Sequence, residues 1–505
     1  MTPRQRLLIT IAVMSTTVMQ VLDTTIVNVA LPHMEGQLGA TPDQITWVLT
    51  SYLVASAIFM PLTGFFTDRM GRRRYLLVSI FGFVLFSALC GLSASLDQIV
   101  VFRLLQGAFG AALVPLSQAI MVSIYPVEER GRAMAIWGIG VMIGPILGPT
   151  LGGYLTEVLS WRWTFFINLP VGILSYVLAL TSVPDTDRLA RKMDWGGLLY
   201  LSISIAATQF LLDRGNEYGW LGSTRIQLAA VMVVGGFVAF LIHSVGRTGP
   251  RLFDLRIFLD RNFTIASLLL AVFGLGMYGS MVMQPLLLEN LLHYPTLTTG
   301  LAMAPRGIIS ALSMIVVGRL ITRISARTVI AMGIVLSGLG TWGMTRYNLS
   351  ISEWDVIWPV LVQGAGLGMI YVPLSTVAFA TLPRESATEA AGLFSLMRTM
   401  GSSIGISLVT TVFIRHGQMA WNLIGGHITA FGTAVSSYLA PLNLGPKTPL
   451  GAAILAGTLT RQSQMVAFNA AFVFITASFV AMLPLVLFVQ GGRLGSQTKP
   501  TIVAD

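Results

Sequence analysis

Charge is scarce in this chain. Only 10% of its 505 residues are Asp, Glu, Lys or Arg, against about a quarter in a soluble protein. Hydrophobic residues make up 54% and the mean hydropathy is +0.76, so the main solvent of this chain is lipid. Cysteine is nearly absent. Cys90 is the only one, which excludes an internal disulfide, and in its apolar run it reads as a small buried hydrophobe. The five histidines, His33, His243, His293, His416 and His427, are scattered through loops and helix ends without the spacing of a metal site. A glycine-rich phosphate loop carrying lysine is missing too, which excludes an ATP-driven pump. With no Ser/His/Asp constellation and no call for a cofactor, the sequence points away from an enzyme. Energy then has to come from an ion gradient or a partner.

What the chain has in abundance is long apolar runs. A membrane helix needs roughly 20 mostly apolar residues to cross ~30 Å of hydrocarbon. Fourteen such runs lie near 7–31, 45–66, 75–94, 97–124, 133–157, 163–183, 195–212, 225–244, 262–288, 298–321, 327–346, 355–381, 390–414 and 465–489. The first is too long for the core of a signal peptide, contains Asp23 and is expected to be retained. The net charge of +10 is dispersed over loops and is not a nucleic-acid signal. It fixes orientation instead. With the N-terminus inside, 21 of the 31 Lys and Arg residues fall in inner loops and 7 in outer ones, leaving Arg103, Arg306 and Arg398 within helices. Both termini are therefore expected in the cytoplasm.

The second half echoes the first at an offset near 255 residues. Gly64 answers to Gly318, with Arg319, Arg323 and Arg327 beyond it. Gln106-Gly107-Ala108 with Val114-Pro115-Leu116-Ser117 reappears as Gln363-Gly364-Ala365 with Val372-Pro373-Leu374-Ser375. Pro126 answers to Pro383. The echo predicts two six-helix bundles, over 1–190 and 256–492, with an inserted helix pair at 191–255. It also leaves an extended outer loop at 415–464 and a cytoplasmic tail at 493–505. Parallel halves of this kind place a transport site at their interface near mid-bilayer.

Polar residues inside the runs mark that site, because a charge in lipid costs several kcal/mol and is kept for a purpose. Asp23 lies eight residues from the outer end of its run, ~12 Å deep at 1.5 Å per residue, with Gln20 and Thr24 close by. Arg103 lies at a comparable depth, with Gln106 and Gly110 on its face. The two read either as a static ion pair or as a proton-binding carboxylate governed by a nearby guanidinium, the functional reading being preferred. Gln363 repeats Gln106. Arg306 and Arg398 are expected to join the central cavity and make it net positive around a single acid, favouring weakly acidic or neutral lipophilic substrates.

Two further patterns concern motion and packing. Gly64, Asp68, Arg69, Gly71 and Arg72 crowd into one tight charged loop, 64–74, between two apolar runs. They read as a conformational gate, with Asp68 near the start of the thirteenth helix at Ala387–Ala391, where that helix's dipole favours a carboxylate. In the fifth run Gly140, Gly144-Pro145, Gly148-Pro149 and Gly152-Gly153 recur every four positions. Small residues at that spacing let helix backbones approach closely in lipid, and the prolines permit bending. Asn168-Leu169-Pro170 reads as a structural kink.

Leu22-Asp23-Thr24-Thr25-Ile26-Val27-Asn28-Val29-Ala30-Leu31-Pro32, the 64–74 loop, Arg103-Leu104-Leu105-Gln106-Gly107 and the Gly-Pro repeat recur together in one known family. So do Trp161-Arg162-Trp163 with Phe166-Ile167-Asn168-Leu169-Pro170, and Leu212-Asp213-Arg214-Gly215. Over residues 7–489 the chain resembles the fourteen-helix drug:proton antiporter branch of the major facilitator superfamily, in particular its EmrB-type exporters. Phe66 and Thr67 depart from the usual Leu and Ala and leave the charges intact. The resemblance implies an all-α membrane fold in an inner membrane and proton-driven export of lipophilic drugs or toxic amphiphiles. It gives Asp23 the role of coupling proton uptake to release, Arg103 a place in the proton relay, and the Gly/Pro face the role of antiporter motif. It also implies a periplasmic membrane-fusion protein and an outer-membrane channel as partners, with 415–464 a place for docking. Export of one native metabolite or lipid is the alternative, and a non-transporting scaffold the more distant one.

Overall fold

The computed structural model describes residues 2–126, 129–189, 192–245, 251–321, 323–429, 432–442, 444–445 and 447–489. Within these, the side chains of residues 42, 43, 145, 146, 149, 296, 297, 384, 434 and 442 lie outside the described set. The fold is helical, with no strand among the described residues. Its long helices are α1 (Pro3–Leu38), α2 (Trp47–Met70), α3 (Arg72–Leu92), α4 (Leu96–Ile124), α5 (Arg130–Val158), α6 (Trp163–Ser182) and α7 (Trp195–Arg214). They continue as α8 (Thr224–Val245), α9 (Arg261–Leu291), α10 (Thr296–Leu320), α11 (Ala326–Met344), α12 (Glu353–Ala378), α13 (Ala387–Gly425) and α14 (Pro449–Val486). Twelve are long and apolar enough to cross a membrane. The other two, α5 with 29 residues and α11 with 19, have the length to do so.

Local chemistry sets several of the helix starts. Thr2 and Gln5 form a capping box ahead of α1, Ser352 and Asp355 another ahead of α12, and Asp194, Asp260 and Ser325 cap α7, α9 and α11. Each cap satisfies amide groups that the helix cannot satisfy itself. The charged stretch 64–74 is shorter as a loop than its composition suggests. α2 runs through Met70 and α3 begins at Arg72, so Gly71 alone makes the turn, at φ 85°. That left-handed backbone suits glycine. The expected outer loop 415–464 is also mostly helix: α13 continues to Gly425 and α14 starts at Pro449, with a short helix, Thr433–Leu439, between them. The apolar runs ended earlier because the polar residues beyond them still form helix outside the lipid-facing stretch.

The internal repeat is visible in the packing. A Cβ at Gly107 would fall 3.0 Å from the Cα of Tyr52, and a Cβ at Gly364 would fall 3.0 Å from the Cα of Arg306. Thus α4 presses on α2 as α12 presses on α10. Gly64 and Gly318 are related in the same way. A Cβ at Gly64 on α2 would lie 3.0 Å from that of Glu389 on α13, and one at Gly318 on α10 would lie 2.9 Å from that of Ala135 on α5. Each half therefore touches the other through its copy of the charged stretch, at the arginine-rich end of the bundle. Asp68 is half-buried and its carbonyl accepts from the Leu189 amide at 2.8 Å; Arg69 is exposed, and Arg72 donates to Ser123 Oγ at 2.8 Å. α13 meets this stretch at Gly64, where Glu389 packs, whereas the residue expected near the start of that helix was Asp68.

Gly107→Val should force α2 and α4 apart and lower stability by about 1–3 kcal/mol, the usual cost of overpacking, read as a drop in thermal unfolding temperature in detergent. Gly235→Ala on α8, where a Cβ meets nothing within 4 Å, should stay within about 0.5 kcal/mol of the parent. Equal behaviour of the two variants would contradict the close crossing.

Candidate functional site

Asp23 and Arg103 meet directly. Arg103 Nη1 donates to Asp23 Oδ2 at 2.6 Å, and both side chains are buried, at 1% and 0% exposure. Two further donors complete the carboxylate: Gln106 Nε2 at 3.0 Å and Asn168 Nδ2 at 2.7 Å, both to Oδ1. Arg103 is held as firmly. Its Nε donates to the Val48 carbonyl at 3.0 Å, its Nη1 also reaches Gln106 Oε1 at 2.9 Å, and its guanidinium lies 4.2 Å from the Tyr52 ring centroid. Asn168 Nδ2 in turn donates to Ser87 Oγ at 3.0 Å. Six helices, α1 to α4 and α6 with α5 bracing α1 from behind, thus surround one ion pair.

That bracing comes from the glycine face of α5. A Cβ at Gly144 would lie 2.7 Å from the amide nitrogen of Leu22, one at Gly148 2.8 Å from Thr25 Cβ, and one at Gly152 2.7 Å from the Ile26 carbonyl oxygen. Thr25 Oγ1 also donates to the Gly144 carbonyl at 2.9 Å. Gly140 faces Met14, and Gly153 reaches the central cavity. The neighbour that this face was expected to meet is α1, the helix that carries Asp23. The Pro145 and Pro149 side chains lie outside the described residues.

A cavity of about 930 Å³ lies between the halves. The exposed residues His33, Thr46 and Glu217 line its mouth, at the end of the bundle opposite Gly64 and Gly318. Of the residues expected there, Gln20, Thr24, Arg103 and Arg398 line it. Arg398 is the innermost α13 residue in its wall, and its Nη1 donates to the Tyr278 hydroxyl at 3.1 Å. Other expectations need correction. Asp23 does not face the cavity: it points into the first bundle, behind Arg103 and Tyr52, because its three donors all lie there. Gln106 is part of that buried network, and Gly110 packs against Phe83 and Tyr52. Gln363 exchanges hydrogen bonds with Ser280 inside the second bundle, and buried Arg306 donates to Gln284 Oε1. Nor is the cavity positive around a single acid. Glu157, Asp213, Glu217 and Glu289 share its walls with Arg103, Arg214 and Arg398, which removes the basis for favouring acidic or neutral substrates.

Asn168 was legible in the sequence only as an asparagine in an apolar run, and was read as part of a kink. Its role as the third ligand of Asp23 comes from the fold. Asp213, on the inserted helix α7, likewise becomes part of the cavity only once α7 is seen to pack between α2 and α13.

Comparison with known proteins agrees with this geometry. Residues 13–406 match the family model described as Major Facilitator Superfamily. The chain is 34% identical to the Multidrug export protein EmrB of Haemophilus influenzae (strain ATCC 51907 / DSM 11121 / KW20 / Rd), covering 96% of each. It is 32% identical to the Fatty acid resistance protein FarB of Neisseria gonorrhoeae, with 93% of each covered, and 32% identical to EmrB of Escherichia coli (strain K12), with 96% of each covered. Among solved structures, the human organic anion transporter MFSD10 (TETRAN) superposes with a TM-score of 0.62 at 14% identity, covering 96% of this chain and 100% of that one. The proton:xylose symporter XylE superposes with 0.60 at 12% identity, covering 97% of each. These two share the fold.

Breaking one side of a buried ion pair costs about 3–5 kcal/mol, because the remaining charge is left unanswered. Arg103→Met and Asp23→Leu should each lower stability by about that amount, and the double variant by clearly less than the sum. A double-mutant cycle on thermal stability in detergent measures this, and additive losses would show the two side chains to be uncoupled.

Proposed function

Because the chain belongs to the Major Facilitator Superfamily and has a cavity between its halves beside a buried ion pair, we propose that it is a proton-driven antiporter. It exports lipophilic drugs or toxic amphiphiles across the inner membrane. The relatives named for multidrug export and fatty acid resistance, matched over nearly their whole length, support the cargo class. The observation that carries the mechanism is the cavity itself: open at the end away from the gate glycines, closed where Gly64 meets Glu389 and Gly318 meets Ala135. With the arginine-rich end in the cytoplasm, this is an outward-open state. Cargo leaves into the periplasm, and closure of the outer end opens the inner one by rocking of the halves.

Asp23 and Arg103 act as the coupling pair. Protonation of Asp23 breaks the charge match with Arg103 and removes the strongest contact of the network, since charge-assisted bonds are about twice as strong as neutral ones. Arg103 is then free to re-orient in the wall of the cavity, which links proton occupancy to cargo occupancy. The mixed lining suits amphiphiles: Leu53, Met60, Met281 and Ile406 offer apolar surface, and Arg398 with Tyr278 offers a polar anchor deep in the cleft. The long α13 and α14, 39 and 38 residues, span ~55–60 Å at 1.5 Å per residue. That exceeds the ~30 Å of hydrocarbon and carries a helical hairpin beyond the outer surface. This hairpin is where we place contact with a periplasmic membrane-fusion protein and, through it, an outer-membrane channel.

Reconstituted in proteoliposomes with an imposed pH gradient, the chain should drive efflux of at least one member of a panel holding a lipophilic weak acid, a neutral amphiphile and a long-chain fatty acid. Asp23→Asn should lose gradient-driven efflux by at least about tenfold, a 1.4 kcal/mol effect or more. Efflux equal to that of the parent chain would remove Asp23 from the coupling role.

A further inference from the structure

On the proton-coupled reading above, the outward-open state must offer a carboxyl to the outer water. Asp23 does not meet that need here: it has no exposed surface, it takes three donors, and the cavity stops at Arg103 and Tyr52. Of the four carboxyls in the cavity wall, Glu157, Asp213, Glu217 and Glu289, Asp213 alone among the described residues is hydrogen-bonded to a neighbouring helix. Asp213, at the outer end of the inserted helix α7, is exposed and lines the cavity.

Its surroundings differ from those of Asp23 in kind. Asp213 Oδ2 accepts from Thr50 Oγ1 of α2 at 2.6 Å, and Oδ1 accepts from Gln209 Nε2, one turn back on α7, at 3.0 Å. Both donors are neutral, and Asp213 makes no ion pair among the described residues. Its charged neighbours along the chain are Arg214 at the end of α7, engaged with Glu217 at 2.5 Å and lying over Trp47, and Glu217 in the turn that follows. From α8 the nearest charge is Arg225, held over the Tyr218 ring. α2 contributes Thr46 and Thr50, and α13 contributes Ser407. With no cation locked onto it, protonation of the carboxyl leaves no partner charge unanswered.

The same turn of α7 ties the two halves together. Asp213 holds Thr50 of the first half, and the adjacent Leu212 carbonyl accepts from Ser407 Oγ on α13 of the second half at 2.9 Å. These are the helices that must approach each other when the outer end closes.

We infer that Asp213 is the carboxyl that takes up the proton in the outward-open state, and that its bond with Thr50 is the latch this uptake releases. The proton passes from outer water to Oδ2. The short bond from Thr50 loses its charge assistance, and α2 is freed to swing towards α13 with α7 as the fixed post. The inserted pair is then a working part of the transport cycle and more than a spacer between the bundles.

The test needs no substrate. Cys90 is fully buried, so Gln44→Cys beside α2 and Arg415→Cys on α13 can carry spin labels on the otherwise native chain. Their separation, measured by pulsed electron paramagnetic resonance in nanodiscs, should shorten as pH falls from 8 to 5. Asp213→Asn should lose this response and show the low-pH distribution throughout. Asp213→Glu should keep it with a shifted midpoint, which controls for folding. Thr50→Val should shift the population towards the short distance at every pH. A pH response in Asp213→Asn equal to that of the labelled parent overturns the inference while leaving proton coupling intact. A labelled parent with no pH response overturns both.

Discussion

A charge inside hydrocarbon has to be answered where it stands, and the first bundle is built around one such answer. Asp23 and Arg103 neutralise each other, but neutrality alone does not repay the loss of water. The remaining valences are met one by one: the Val48 carbonyl for Arg103 Nε, Gln106 bridging both partners, Asn168 for the second carboxylate oxygen, and the Tyr52 ring against the guanidinium. Each comes from a different helix or turn, so the relative positions of α1, α2, α4 and α6 are fixed together. Ser87 extends the chain to α3. Disturbing the pair therefore disturbs the register of a whole half.

The two halves share a skeleton and differ in chemistry. Gly107 on Tyr52 and Gly364 on Arg306 are the same crossing made twice, and Gln106 and Gln363 occupy matching turns. The charges do not repeat. Tyr278 stands near the position that corresponds to Asp23, and it partners Arg398 from the cavity side. Buried Arg306 leans on the side chain of Gln284, a neutral acceptor, and its Nε and Nη1 find no hydrogen-bond partner among the described residues. Duplication supplied the frame, and the carboxylate stayed in one copy. In the cavity wall the second half accordingly presents Arg398 and the Tyr278 hydroxyl, together with Glu289.

Much of this was legible beforehand, for reasons that differ residue by residue. Small residues four apart can only be useful on one face of a helix, so Gly144, Gly148 and Gly152 announced a close neighbour, although not which one. Equal depths of Asp23 and Arg103 in their helices announced a pair. Depth is a linear quantity and can be read from a string; rotation of a helix about its axis is set by contacts far away in the chain. That is why Asp23 was expected to face the cavity and instead faces inward, and why Gln106, Arg306 and Gln363 were expected in the cavity and lie inside their bundles. The charge balance of the cavity failed for a related reason, since Glu157, Asp213 and Glu289 sit at the last position of their apolar runs or just beyond it. The extension of α13 and α14 was hidden because hydropathy reports where lipid ends, not where a helix does.

The seam between α1 and α5 has a mechanical meaning. With backbone against backbone at three successive turns and the Thr25 hydroxyl bonded across, neither helix can slide or roll without lifting the other away. α5 thus joins the turns of α1 beside Asp23 to Ala135, which abuts Gly318 of the other half. A movement of α1 at this seam is therefore shared by α5, the helix that crosses the other half at Ala135.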